Sequence, residues 1–232
     1  PLLDRVEPDA LAIGAVNTLY RAGDELVGMN TDAPGLARAL LESGLTLSGA
    51  KVTILGAGGA APAAVVGLAR AGAAQIAVAA RRESSARELV EQLQKPLGDE
   101  GKTQLRAVPL LPQALASCFS STDLLVQATS ATLDDGPAAL ELVTVLPLYA
   151  LPKHAAVVDL VYRPLQTRVL IVAQQLGLRT LDGLGMLLHQ GAIAFEKWTG
   201  HAAPIAAMRD ALQIGSEPPQ GKKGNTANTP SG

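Results

Sequence analysis

Val52-Thr-Ile-Leu-Gly-Ala-Gly-Gly-Ala-Ala61 opens on four mostly apolar residues, three of them β-branched, and this predicts a buried parallel strand. Gly56, Gly58 and Gly59 then turn the chain, and Ala60–Arg70 reads as a helix. A strand, a glycine turn and a helix start place free backbone N–H groups and the positive end of a helix at one point. A pyrophosphate fits there, because glycine lets it approach the backbone closely. Glycines also serve ordinary turns, so the pattern carries weight only through the strand and helix around it.

The next segment sharpens the reading. Ala74-Gln-Ile-Ala-Val-Ala79 is a second predicted strand, followed by Arg81 and Arg82. In a dinucleotide fold the end of the second strand meets the adenosine ribose. A carboxylate there accepts from a 2′-hydroxyl, whereas arginine suits a 2′-phosphate. The pair favours NADP over NAD; the alternative is two solvated charges at a strand end. Glu83 is assigned to the first turn of the following helix, where the helix dipole favours it.

The remainder of the chain continues as α/β. Ser84–Gln94 has helical spacing, Gln104–Leu110 reads as a third strand and Pro112–Phe119 as a short helix opened by proline. Asp123–Gln127 and Ala155–Leu160 are the fourth and fifth strands, with an unreadable stretch over 132–152 between them. Leu165–Leu176 is a predicted helix stopped by Gly177, and Arg179–Leu181 a short sixth strand. Strands alternating with helices imply a doubly wound parallel sheet that binds ligand at the carboxyl ends of its strands. The polar stretch from Gly215 onward is expected to be disordered.

Bulk properties exclude several classes. The 232 residues are enough for a substantial core. A net charge of −2 gives no electrostatic case for nucleic acid or an anionic membrane. No apolar run approaches the roughly 20 residues that span a bilayer. The single cysteine, Cys118, cannot form an internal disulfide, is assigned to a helix as small core filler, and fits a reducing, cytoplasmic compartment. Pro1 in place of methionine suggests a chain that starts mid-protein.

Before the glycine turn the character differs. Gly14–Tyr20 and Glu25–Met29 read as a hairpin around Arg21-Ala-Gly-Asp24. Asn17 is polar among apolar neighbours and needs a hydrogen-bonding partner. Asp32, in Asn30-Thr-Asp-Ala-Pro-Gly35, reads locally as the N-cap of an apolar helix over Leu36–Leu41.

Gly14-Ala-Val-Asn-Thr18, Asn30-Thr-Asp32, Gly56-Ala-Gly-Gly-Ala-Ala61, Asp159-Leu-Val-Tyr-Arg-Pro164, Gly183-Leu-Gly-Met-Leu-Leu-His-Gln190 and Ala194-Phe-Glu-Lys-Trp-Thr-Gly200 occur in that order. Over about residues 8–212 the chain resembles the shikimate dehydrogenase family, whose members reduce 3-dehydroshikimate to shikimate with NADPH in aromatic amino acid biosynthesis. The resemblance implies a Rossmann-like sheet, a remnant of an N-terminal α/β substrate domain, and C-terminal helices packing back on it. The boundaries it implies are 1–33 for the substrate domain, 34–183 for the NADP-binding domain, 184–214 for the returning helices and 215–232 for the tail.

By position, the resemblance assigns Asn17, Asp32, Tyr162 and Gln190 to the substrate, with Asp32 also partnering a catalytic lysine. It assigns Gly56, Ala57, Gly58, Gly59, Ala60 and Ala61 to the pyrophosphate and Arg81 and Arg82 to the 2′-phosphate. Thr129 and Ser130 would lie by the cofactor, and Leu160, Gly183 and Met186 by the nicotinamide; Leu160 and Met186 serve equally well as core. The implied partners are NADP, shikimate and 3-dehydroshikimate, with a homodimer as the candidate assembly.

The family's lysine precedes the region that Pro1–Val16 resembles, so this chain is expected to begin after it. Lys51, Lys153 and Lys197 match no motif, and of the histidines only His189 neighbours an implied site residue. Without the preceding segment, Leu19, Val27, Leu187 and Phe195 are expected to be exposed. Arg163 stands where the family often has asparagine, and the loop after Ala128 lacks its usual glycine–methionine end, which bears on substrate and loop detail. The alternatives are an NADP-binding module without turnover and a paralogue acting on quinate.

Overall fold

The computed structural model describes residues 2–98 and 103–212; the expected polar tail lies outside them. A short strand β1 (Arg5–Val6) leads into helix α1 (Pro8–Ile13), then the hairpin strands β2 (Thr18–Ala22) and β3 (Glu25–Met29). Helix α2 (Asp32–Glu42) connects to β4 (Lys51–Leu55), α3 (Ala60–Arg70), β5 (Gln75–Ala80) and α4 (Glu83–Gly98). There follow β6 (Gln104–Pro109), α5 (Pro112–Phe119), β7 (Leu124–Gln127), a 3₁₀ turn at Ser130–Thr132 and α6 (Pro137–Val145). Strand β8 (Ala156–Asp159), α7 (Arg168–Gln175), β9 (Arg179–Leu181), α8 (Leu184–Thr199) and α9 (Ile205–Ala211) complete the described chain.

Two sheets result. The larger has the order β6-β5-β4-β7-β8-β9 with every pair parallel, so the strand order reverses between β4 and β7. A ligand crevice forms at such a reversal, beyond the carboxyl ends of the strands. The strands read as near-continuous apolar runs because both faces are covered. Val52, Ile54, Ile76, Val126 and Val158 face a core shared with Leu36, Leu40, Val65 and Leu68. Leu55, Ala77, Leu125 and Val157 face the opposite core, built with Leu115, Phe119 and Leu170. Cys118 is buried there, with Sγ 3.3 Å from the Thr53 hydroxyl, as core filler should be.

The smaller sheet has the order β1-β3-β2, with β1 parallel and β2 antiparallel to β3. The hairpin thus matches the sequence reading, while β1 and α1 carry no periodicity long enough to be read. Helix α2 ties the two sheets together between α3 and α8. At each crossing a glycine permits contact: a Cβ on Gly67 would lie 2.3 Å from the Ala33 carbonyl oxygen, and one on Gly35 2.8 Å from the Gln190 nitrogen.

Several expectations shift. The helix expected from Leu165 begins at Arg168, because the Thr167 hydroxyl accepts from the Leu170 N–H and caps it. The first hairpin strand begins at Thr18, since the chain leaves α1 through Gly14 at φ 76°. The unreadable stretch contains α6, whose start is set by Pro137. Val27 is fully buried between β1 and β2, contrary to the exposure expected of it; Leu19 is 47% exposed, and Leu187 and Phe195 are half-buried.

Candidate active site

A cleft of about 750 Å³ opens at the carboxyl ends of β4, β5, β7 and β8. Gly56, Ala57, Gly58, Gly59 and Ala60 form its floor, and Arg81, Arg82, Thr129, Ser130 and Leu160 stand around it. Gly56 has φ 109°, and a Cβ there would meet Thr129 at 2.9 Å and the Ala128 backbone at 3.1 Å. Cβ atoms on Gly58 or Gly59 would meet nothing within 4 Å, so the space above the turn is open. No side chain caps the start of α3; within its first turn the Ala61 N–H donates to the Gly58 carbonyl (3.1 Å) and Pro62 has no N–H. Ala61 follows the turn but is fully buried and does not line the cleft.

Arg81 and Arg82 are exposed and make no ion pair among the described residues. Their neighbour Glu83 opens α4 and pairs with Arg87 one turn later, so it does not neutralise them. The two guanidinium groups are exposed cations beside a glycine turn.

Beneath the cleft lies a buried polar network. The Thr129 N–H donates to Gln127 Oε1 (2.7 Å), and Gln127 Nε2 donates to the Thr129 carbonyl (3.0 Å) and the Thr132 hydroxyl (2.7 Å). Thr132 donates in turn to Asp159 Oδ1 (3.3 Å), which also accepts from the Val161 N–H (3.0 Å). Thr167 donates to Asp159 Oδ2 (2.8 Å). Burial pushes the Asp159 carboxyl above the usual range, and its hydrogen bonds oppose that shift. The Thr129 hydroxyl accepts from the Ala131 N–H and caps the 3₁₀ turn, a local task that sequence could not distinguish from cofactor contact.

A second polar cluster joins the small sheet to α8. Asn17 Oδ1 accepts from the Thr18 hydroxyl (3.0 Å), the Thr31 N–H (2.9 Å) and the Thr31 hydroxyl (3.2 Å). Thr31, itself fully buried, also reaches Gln190 Oε1 at 3.3 Å. Burial raises Asp32 above the ordinary carboxylate range, and the Asn17 amide beside it pulls it back. Asn17, Asp32 and Gln190 are therefore brought together, with Thr31 as the hub. The hub was visible only as the middle residue of Asn30-Thr-Asp32, because nothing in a sequence marks which hydroxyl will be buried.

Asp32 is not the helix cap. The Asn30 side chain takes that place, accepting from the N–H groups of Asp32 (3.0 Å) and Ala33 (3.4 Å). The side chain two residues upstream reaches the free N–H groups, so Asp32 starts the helix with its carboxyl released from capping.

Helix α8 links this cluster to the cleft. Gly183 starts it, with its N–H on the Val161 carbonyl at 3.1 Å, and a Cβ there would lie 2.3 Å from the Leu160 carbonyl oxygen. Gln190 follows seven residues on, about 10 Å along the axis. Met186 packs against the core and, with Leu160, lines a second cavity of about 470 Å³. Leu160 borders both cavities. Tyr162 is 48% exposed just beyond β8, borders neither cavity and makes no hydrogen bond among the described residues.

The remaining candidates sit elsewhere. Lys51 starts β4, and Lys153 donates to the Leu176 carbonyl near the start of β8, both at the sheet's amino ends. Lys197 pairs with Glu7 at 3.5 Å and stacks on the Tyr20 ring. Among the described residues no lysine pairs with Asp32. His189 contacts Glu42 at 2.9 Å, and Arg209 meets the same carboxylate at 2.7 Å, a clamp between α2, α8 and α9.

The residues present fit a phosphorylated dinucleotide: an open glycine turn, an uncapped helix start and exposed arginines border one cleft at the strand-order reversal. Fold and site thus define a dinucleotide-binding α/β protein. Residues 36–134 match the family model described as shikimate / quinate 5-dehydrogenase, and 183–213 match that of the shikimate 5′-dehydrogenase C-terminal domain. The shikimate dehydrogenase (NADP(+)) of Geobacter metallireducens is 43% identical over 210 residues, covering 90% of this chain and 71% of that protein. The chain belongs to the shikimate dehydrogenase family.

Solved structures agree. The shikimate 5-dehydrogenase of Listeria monocytogenes, in complex with shikimate and NAD, aligns at TM-score 0.81 and 32% identity over 90% of this chain and 72% of that one. That of Thermus thermophilus, in complex with NADP(H) and shikimate, aligns at TM-score 0.73 and 39% identity over 91% and 72%. No helix among the described residues is long and apolar enough to cross a membrane.

Proposed function

We propose that this chain serves the reversible reduction of 3-dehydroshikimate to shikimate with NADPH. The observation that carries the reading is the Asn17–Thr31–Asp32–Gln190 cluster, fastened by α8 to the mouth of a glycine-turn cleft. Hydroxyl recognition and dinucleotide binding then meet about two turns apart on one helix.

When bound, the nicotinamide cofactor supplies or accepts the hydride. Gly56–Ala60 and the start of α3 hold its pyrophosphate, and Arg81 with Arg82 binds the 2′-phosphate. Asn17 and Gln190 bind substrate hydroxyls. Their contacts to the Thr31 hydroxyl are long, at 3.2 and 3.3 Å, and exchange readily for a ligand, while the Thr31 N–H keeps Asn17 in place at 2.9 Å. Tyr162, exposed beyond β8 and outside both cavities, is free to offer its hydroxyl to substrate from the sheet side. Asp32 orients the group that gives a proton to the developing alkoxide and takes it back in the reverse direction. The lysine suited to that task is absent from the described residues around Asp32.

Shikimate-dependent reduction of NADP⁺, followed by absorbance alongside direct measurement of NADP⁺ binding, tests the reading. In a turning-over protein, Asp32→Asn is expected to lower kcat by about a hundredfold or more, in the range of acid–base contributions, with NADP⁺ affinity unchanged. Unchanged turnover removes Asp32 from proton transfer. Binding of NADP⁺ without turnover assigns the chain to a binding module whose proton donor lies outside it. Absence of NADP⁺ binding sinks the reading.

A further inference from the structure

Gln127 and Asp159 are register partners at the last positions of β7 and β8, and both are 0% exposed. Each turns its side chain onto the loop that follows its own strand. Gln127 clamps Thr129 from both sides, while Asp159 holds Val161 and Thr167 at the two ends of the loop that carries Tyr162. The two clamps meet at one hydroxyl: Thr132 accepts from Gln127 and donates to Asp159. We propose that Asp159 is a positioning residue that couples the cofactor loop at 128–132 to the Tyr162 loop at 160–167, so that filling the cleft orders the substrate side.

The chemistry of the network favours a switch over a flexible joint. The Asp159 carboxyl accepts from two hydroxyls and a backbone N–H, Gln127 donates into that chain at Thr132, and no cation is among the donors. A buried carboxylate held only by neutral donors depends on all of them, since an unmade bond there is costly. A displacement of Thr129–Ala131 by an occupant of the cleft reaches Thr132 directly, and through Asp159 it reaches the cap of α7. A second link between the loops, the Asp135–Arg168 pair, is exposed and therefore screened.

The inference rests on the cofactor reading above, and the test separates the two. Hydrogen–deuterium exchange is measured at 165–171, beyond the residues that border the glycine-turn cleft, with and without saturating NADP⁺. The full chain is compared with Thr132→Val, which cuts the link, and with the isosteric Asp159→Asn, which puts an NH₂ where one carboxylate oxygen accepted. In the unaltered chain NADP⁺ is expected to slow exchange there by about fivefold, the lower end of ordinary coupling between sites. In both variants NADP⁺ is expected still to bind but to leave exchange at 165–171 unchanged. Asp135→Ala is expected to retain the slowing.

Retention of the slowing in either network variant overturns the proposal, as does its loss in Asp135→Ala. Binding to the unaltered chain with no slowing also overturns it while leaving the cofactor reading intact. Failure of NADP⁺ to bind the unaltered chain rejects the cofactor reading, and the coupling with it.

Discussion

Replacing Arg81 with alanine is expected to weaken NADP⁺ while sparing NAD⁺. Both Arg81 and Arg82 border the cleft, and neither is committed to a carboxylate among the described residues. The nearest acid in sequence, Glu83, is held by Arg87. Truncation therefore frees no buried acid and breaks no ion pair, and the loss falls on the ligand's phosphate. Hydrogen bonds to charged groups contribute roughly 1.5–3 kcal/mol, and solvent exposure places these at the lower end. About 1.5 kcal/mol is roughly a tenfold rise in Kd for NADP⁺. Arg82→Ala acts on the same phosphate, so the double variant should lose less than the product of the two single losses. Calorimetric titration of NADP⁺ and NAD⁺ into each variant reads this out. Raising the salt concentration should shrink the NADP⁺ effect, because the contacts are screened. Equal weakening of both cofactors would refute the assignment and return the two arginines to the role of solvated charges.

Gly183→Ala places a methyl 2.3 Å from the Leu160 carbonyl oxygen and 2.7 Å from its carbon, both backbone atoms that cannot yield cheaply. Overpacking of this kind costs about 1–3 kcal/mol, and at roughly 2–4 °C per kcal/mol for a domain of this size it should lower Tm by several degrees. An unchanged melting curve would mean that α8 starts with slack. Glu42 lies between His189 and Arg209, which in that order hold its carboxyl below the usual glutamate range. Folding then releases a proton that the unfolded chain would keep. The stabilisation is present above the ordinary glutamate range and is lost as pH falls through the lowered value. Glu42→Gln should lower Tm at neutral pH, and the gap from the unaltered chain should close on acidification. A gap independent of pH would mean that the clamp works by packing alone.

The large sheet was legible because parallel strands buried on both faces are written as short apolar runs. Val52–Leu55, Leu124–Gln127 and Ala156–Asp159 all read this way, and a glycine break marked the end of the first. Helix α3 was legible to the residue, since its start is fixed by the glycine turn. The short elements β1 and α1 were not, having too few residues to show a period. Helix α7 was read three residues too early because the apolar spacing runs through Leu165, whereas the start is decided by the Thr167 cap held on Asp159. Asp32 was misread as a cap for a related reason: its residue type suits a cap, but the path of the backbone gives that place to Asn30.

By itself the sequence determined the strand, glycine turn and helix, the arginines after the second strand and the order of the family's motifs. These are properties of neighbouring residues, and local backbone chemistry is sufficient to produce them. Only the tertiary structure decided that Thr31 gathers Asn17 and Gln190 across 159 positions of chain, and that Gly35 lets α2 and α8 approach closely enough for this. It likewise decided that Asp159 joins two loops through buried hydroxyls. Burial and hydrogen-bond partners arise from long-range packing, and a hydroxyl or carboxylate in sequence carries no mark of which neighbours that packing will supply.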